Sequence, residues 1–141
     1  FGCILYNVNK QERRGKISTL AEKFGLQKVM RRRFDSLSTG EKMRLALAYS
    51  LINDPKLMLL DEPTLGLDPD IAIKVRQEIK RINKEFDTTI VLTSHYMHEV
   101  EQICGRVAFV NEGRIMDIVK VSDIRKKHPD LESYFVKMVN A

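Results

Sequence analysis

The chain has 141 residues, long enough for one compact domain with a sizeable core. Its 43% hydrophobic and 30% charged content is ordinary for a soluble globular protein, and no apolar run approaches the roughly 20 residues of a membrane span. The net charge of +5 is uneven: residues 10–33 hold nine basic and two acidic residues, and the remainder is slightly acidic.

In chain order, Phe1–Tyr6 is too short for a secretory signal and is followed by mixed charge. Gln11–Phe24 predicts an amphipathic helix with Ile17, Leu20, Ala21 and Phe24 on one face, stopped by Gly25. Leu26–Phe34 reads as a connector or short helix. Its basic run Lys28–Arg33 suits either a solvated face or an anionic partner, phosphate-rich or membrane. Few aromatics lie beside it, so no nucleic-acid partner is expected. Ser38 and Glu41 form an S-x-x-E capping box that opens a second helix, closed at Asn53-Asp54-Pro55.

Leu57–Leu60 is wholly apolar, as in a buried parallel strand. Asp68 as N-cap and Pro69 at the first position open a third helix with the stripe Ile71, Val75, Ile79, Ile82 and Phe86. Thr89–Thr93, rich in β-branched residues, predicts a second buried strand. A helix over 97–104 follows. Arg106–Val110 and Arg114–Ile118 flank Asn111-Glu112-Gly113, a hairpin signal. Helical stretches from Ser122 and Pro129 close the chain, which has no internal repeat. Helices alternating with apolar strands predict an α/β fold with a partly parallel sheet. Cys3 and Cys104 have no metal-ligand spacing; their number allows one disulfide, but two buried reduced thiols of a cytosolic protein are expected.

Three polar clusters fall at the ends of these elements. Asp61 and Glu62 follow the apolar strand, and ligands of open α/β sheets bind beyond the carboxyl ends of strands. One carboxylate there can hold Mg²⁺, and the other can act as general base toward a water. An acidic turn before Pro63 would read the same. Thr93-Ser94-His95 ends the second strand, where a histidine can meet a phosphate oxygen or orient a water, or simply be structural. The capped helix start at Ser38 and Gly40 offers free N–H groups to an anion, with Glu41 opposing tight binding unless turned back onto the cap.

In order and spacing, Leu37-Ser38-Thr39-Gly40-Glu41, Leu57-Met58-Leu59-Leu60-Asp61-Glu62-Pro63-Thr64, Gly66-Leu67-Asp68 and Ser94-His95 resemble the ATP-binding cassette (ABC) family. These look like its signature loop, Walker B strand, D-loop and switch histidine, and the likeness covers essentially the whole chain. It implies a partial P-loop NTPase-type sheet with flanking helices, its N-terminal strands missing. Residues 1–36 would be part of the helical subdomain, 37–118 the signature helix and catalytic core, and 119–141 closing helices of the same domain.

The resemblance also implies roles. Asp61 would bind Mg²⁺ through water, Glu62 would be the catalytic base, and His95 would contact the γ-phosphate of ATP. Ser38, Thr39, Gly40 and Glu41 would meet ATP on the opposite protomer of a head-to-tail dimer, and Asp68 would communicate across it. Thr39 and Glu41 depart from the family's usual Gly and Gln. No phosphate-cradling loop is present: the only Gly-Lys pair, Gly15-Lys16, has Lys10 where the first glycine belongs and Ile17 where Ser or Thr belongs.

The chain is therefore expected to need a missing N-terminal Walker A portion, to associate, and to be inactive alone. The implied function is the Mg-dependent ATPase of an exporter-like ABC transporter, docked through a transmembrane partner on the inner face of the cell membrane. The alternative is a lobe of an SMC-type DNA-repair or chromosome ATPase. Such a lobe should follow a long coiled coil, whereas Gly25 breaks the opening helix early.

Overall fold

The computed structural model describes Cys3, Tyr6 and residues 8–140, so the reading of Phe1–Tyr6 lies largely outside it. Two compact bodies are formed. One takes the chain up to Leu60 with Thr64–Val91, and the other takes Asp61–Pro63 with the chain from Leu92 onward.

The first body contains α1, Arg13–Lys23. Its end is set by Gly25 at φ 61°, a left-handed position that glycine takes without a Cβ penalty. Leu20, Ala21 and Phe24 are buried as the spacing predicts, but Ile17 is 38% exposed. The connector forms two short 3₁₀ turns, Gln27–Val29 and Phe34–Ser36. Helix α2, Thr39–Ser50, buries Leu47 and Ala48, and Leu51 and Ile52 just beyond it join the same core.

Helix α3, Pro69–Glu85, opens on Asp68 as predicted, although the cap is made by backbone: the Ile71 and Ala72 N–H groups donate to the Asp68 carbonyl. Its buried stripe is Ala72, Val75, Ile79 and Ile82, while Ile71 and Phe86 lie at its edges, half-buried. Beyond the helix, Thr88 is buried. Its hydroxyl donates to the Pro55 carbonyl at 3.0 Å, and Asn83 donates to the Thr88 carbonyl at 2.9 Å. These bonds set the start of the next strand.

Strands β1, Leu57–Asp61, and β2, Thr89–Thr93, pair as a two-stranded sheet. Thr89 N–H donates to the Lys56 carbonyl at one end, and the Thr93 hydroxyl meets Asp61 and Glu62 at the other, so the strands run parallel. The expectation that both are buried is corrected. Met58 is buried and Leu60 and Ile90 pack on the core, but Leu57, Leu59 and Val91 are 53%, 71% and 52% exposed. Side chains alternate across a strand, and among the described residues only one face of this pair is covered.

The second body holds α4, Met97–Ile103, the antiparallel pair β3, Arg106–Asn111, and β4, Arg114–Lys120, then α5, Val121–Ile124, and α6, Leu131–Val139. The predicted hairpin is present. Both Glu112 and Gly113 have positive φ, 47° and 74°, the pattern of a type I′ turn. Val100, Phe109, Ile124 and Leu131 form its core, with Phe109 stacked on Phe135 at 5.7 Å. The last helix starts at Leu131 rather than Pro129 because Asp130 caps it, accepting from Ser133 N–H at 2.7 Å. Tyr134 donates to Asp117 at 2.6 Å, which ties α6 to β4. Cys3 and Cys104 are free thiols; Cys3 is buried and Cys104, half-buried, has its pKa raised by burial. The α/β class follows as expected, and among the described residues no helix is long and apolar enough to cross a membrane.

Candidate functional site

The C-terminal ends of β1 and β2 deliver their polar residues to one place. Asp61 is the last residue of β1, and Glu62 follows it at φ 44°, a left-handed conformation uncommon for a side chain of this kind. The resulting turn re-aims the chain, so the Asp61 and Glu62 carboxylates serve different contacts. Thr93, the last residue of β2, donates its hydroxyl to Asp61 Oδ1 at 2.5 Å and accepts the Glu62 N–H at 3.0 Å. His95 Nδ1 lies 2.8 Å from Glu62 Oε1. Ser94 Oγ accepts from Tyr96 N–H at 3.1 Å, and the Tyr96 ring lies 4.0 Å from that of His95. The structure thus gathers Asp61, Glu62 and His95, and adds Thr93, to which the sequence reading gave no role of its own.

An ionised Glu62 only accepts, so the bond to His95 places a proton on Nδ1. Nε2 is then an acceptor in the neutral ring and a donor in the charged one. The His95 side chain is 55% exposed. Glu62 Oε2, by contrast, is buried and has no hydrogen-bond partner among the described residues. A buried orphan carboxylate oxygen is costly unless something polar meets it, and a water or substrate hydroxyl is the natural complement.

The remaining predicted site residues lie in the first body. Ser38 is the N-cap of α2, accepting Glu41 N–H at 3.2 Å, while Ser38 N–H donates to Glu41 Oε2 at 2.8 Å. The capping box is complete, and Glu41 is turned back onto the cap as an anion-binding helix start would need. The backbone hydrogen bond from Ser38 holds the Glu41 carboxyl below its ordinary pKa. Thr39 and Gly40 form the first turn behind it; Thr39 is exposed, and a Cβ at Gly40 would meet open space. Asp68 is exposed at the start of α3.

Gly15 and Lys16, the one pair with any likeness to a phosphate loop, lie inside α1, where Lys16 is ion-paired with Asp54. Among the described residues no group of three or more His, Cys, Asp or Glu could hold a metal alone.

The family model for ABC transporters matches residues 4–65. A methionine import ATP-binding protein of Enterococcus faecalis is 40% identical over 117 residues, which cover 81% of this chain and 33% of that protein. The chain spans about a third of the length of the curated relatives it matches. The cbiO1 protein from Clostridium perfringens, part of the ABC transporter complex cbiONQ, superposes with a TM-score of 0.75 at 27% identity, over 94% of this chain and 55% of that one. A dimeric ATP-binding cassette in a post-hydrolysis state, bound to ADP and phosphate, superposes at 0.64 with 26% identity, over 81% of this chain and 49% of its own length. Likeness of sequence and likeness of fold fall on the same chain, which belongs to the ABC transporter ATP-binding family.

Proposed function

We propose that Asp61, Glu62 and His95 form the catalytic face of a Mg-dependent ATPase that drives a transporter. The observation that carries this is the 2.8 Å contact of Glu62 with His95 at the mouth of a parallel strand pair, beside an Asp61 carboxylate tied to the same point. The residues fit the groups they would serve. Mg²⁺ keeps several waters and takes one or two carboxylates together with substrate phosphates, so a single exposed Asp61 is enough. When bound, the cation neutralises charge on the β- and γ-phosphates of ATP. Glu62 takes a proton from the attacking water, for which its unpartnered Oε2 is suited. His95 orients the Glu62 carboxylate through Nδ1 and, when charged, donates from Nε2 to a phosphate oxygen.

Ser38, Thr39, Gly40 and Glu41 suit ATP bound by a second protomer in a head-to-tail dimer. Their helix start presents N–H groups, with the Glu41 charge drawn back onto Ser38. Asp68, exposed before α3, is proposed to communicate between the protomers. The dimeric ADP-bound relative supports this arrangement. The cradle for the β- and γ-phosphates is assigned to a Walker A portion outside residues 1–141, in keeping with the longer relatives. The helical subdomain, catalytic core and closing helices are assigned to 1–36, 37–118 and 119–141.

We place the working protein on the inner face of the cell membrane through a transmembrane partner. The methionine-import relative sets import beside the exporter-type reading, since direction belongs to that partner. The relatives named are transporter subunits, which favours this reading over an SMC-type lobe. The test is Glu62→Gln in the full-length protein: nucleotide binding should persist while hydrolysis falls about a hundredfold or more. Unchanged turnover would remove Glu62 as the base.

A further inference from the structure

The Thr93 hydroxyl bonds to both residues of the Asp61–Glu62 pair. It donates to Asp61 Oδ1 at 2.5 Å and accepts the Glu62 backbone N–H at 3.0 Å. A hydroxyl has one proton to give and lone pairs to receive with, so both bonds form at once without competing. Their effects are separate. The first fixes the rotation of the Asp61 carboxylate and leaves Oδ2 to a water or cation. The second holds the peptide between Asp61 and Glu62 in the orientation that puts Glu62 at φ 44°.

A glutamate has no intrinsic preference for that left-handed conformation, so something outside the residue must hold it there. The Thr93–Glu62 bond is a direct restraint of that kind. Relaxation toward extended backbone would swing the Glu62 side chain away from His95, which it now meets at 2.8 Å. Thr93 itself is held in register at the end of β2 by the strand pairing that begins with Thr89 N–H on Lys56 O.

We infer that Thr93 is a positioning residue: its hydroxyl clamps the turn after β1, setting the Asp61 carboxylate for the metal and the Glu62 carboxylate against His95. This rests on the ATPase reading above. The hydroxyl, and not merely a side chain of that shape, is the working group. Valine matches threonine in shape but can neither donate nor accept; serine keeps both capacities.

The experiment uses the full-length protein with Thr93→Val, Thr93→Ser and Thr93→Ala, and Glu62→Gln beside them. Thr93→Val is expected to lower kcat for ATP about tenfold with KM within about twofold, because the clamp acts on the reacting groups and not on nucleotide binding. Thr93→Ser should return kcat to within about twofold of wild type. Amide hydrogen exchange at Glu62, read without nucleotide, should be slow in wild type and Thr93→Ser and faster in Thr93→Val. If valine prevents folding, serine against alanine gives the same comparison. Wild-type kcat in Thr93→Val, serine no better than alanine, or a Glu62 amide indifferent to the hydroxyl would each overturn the clamp. Full activity in Glu62→Gln would instead remove Glu62 as the base, and a wild-type protein that does not hydrolyse ATP would sink the ATPase reading, while the exchange measurement would still decide whether Thr93 holds the turn.

Discussion

Ser38 and Glu41 show how much a single local motif can specify. S-x-x-E was legible as a capping box because both bonds are made within four residues, and both are present. Ser38→Ala should destabilise the protein by about 1 kcal/mol, read in denaturant titrations at neutral pH. The carboxylate adds a pH dependence. Glu41 is held below its ordinary pKa, chiefly by the Ser38 backbone N–H, so its contribution is fully present above the normal glutamate value of about 4.3. It is lost as pH falls through the depressed value. In Glu41→Gln the acid limb of the stability profile should be shallower; an unchanged limb would show that the bond is not made in solution.

Glu62 is the contrasting residue. Its identity and place after a strand were legible, but its left-handed backbone was not, since nothing in a glutamate signals it. The groups it meets in that conformation, Thr93 and His95, lie about thirty residues later in sequence. Asp54 and Asp87, also at positive φ, follow the ordinary tolerance of aspartate for such turns.

Among the elements, helices were read more faithfully than strands. The 3.6-residue stripe of α3 is nearly as predicted, with Ala72 in place of Ile71 at its start. Alanine carries little weight in a hydrophobic pattern, yet Ala72 is buried on this stripe. Ile79 and Ile82 on this stripe are 1% and 0% exposed. Ile79→Ala should therefore cost about 2–5 kcal/mol, measured by urea unfolding, with the upper end reached if the space does not close. A loss below 1 kcal/mol would mean that α3 is loosely seated. The strands gave a different lesson. An unbroken apolar run states what a strand is suited to bury on both faces, and β1 and β2 bury one. The run was read correctly as a strand, but its covering was not encoded nearby.

At the scale of the whole chain, the uncovered face of β1 and β2 has a thermodynamic consequence. Leu57, Leu59 and Val91 stand more than half exposed beside one another on paired strands, and β1 and β2 pair only with each other among the described residues. Burying a Leu or Val side chain gains about 1.5–3 kcal/mol, so covering three of them favours association by several kcal/mol before its entropic cost. An open strand edge adds unpaired backbone groups that another chain can satisfy. The 141-residue chain on its own should therefore form dimers or larger species in light scattering at micromolar concentration. Leu59→Lys with Val91→Lys should shift it toward monomer, because a lysine at each position makes the covered face costly to desolvate. The same chain should show no ATPase activity: Lys16, its only lysine after a glycine, is engaged with Asp54 inside the first body. A wild-type chain that runs as a monodisperse monomer would mean that water tolerates this face, and the apolar strands would then need another explanation.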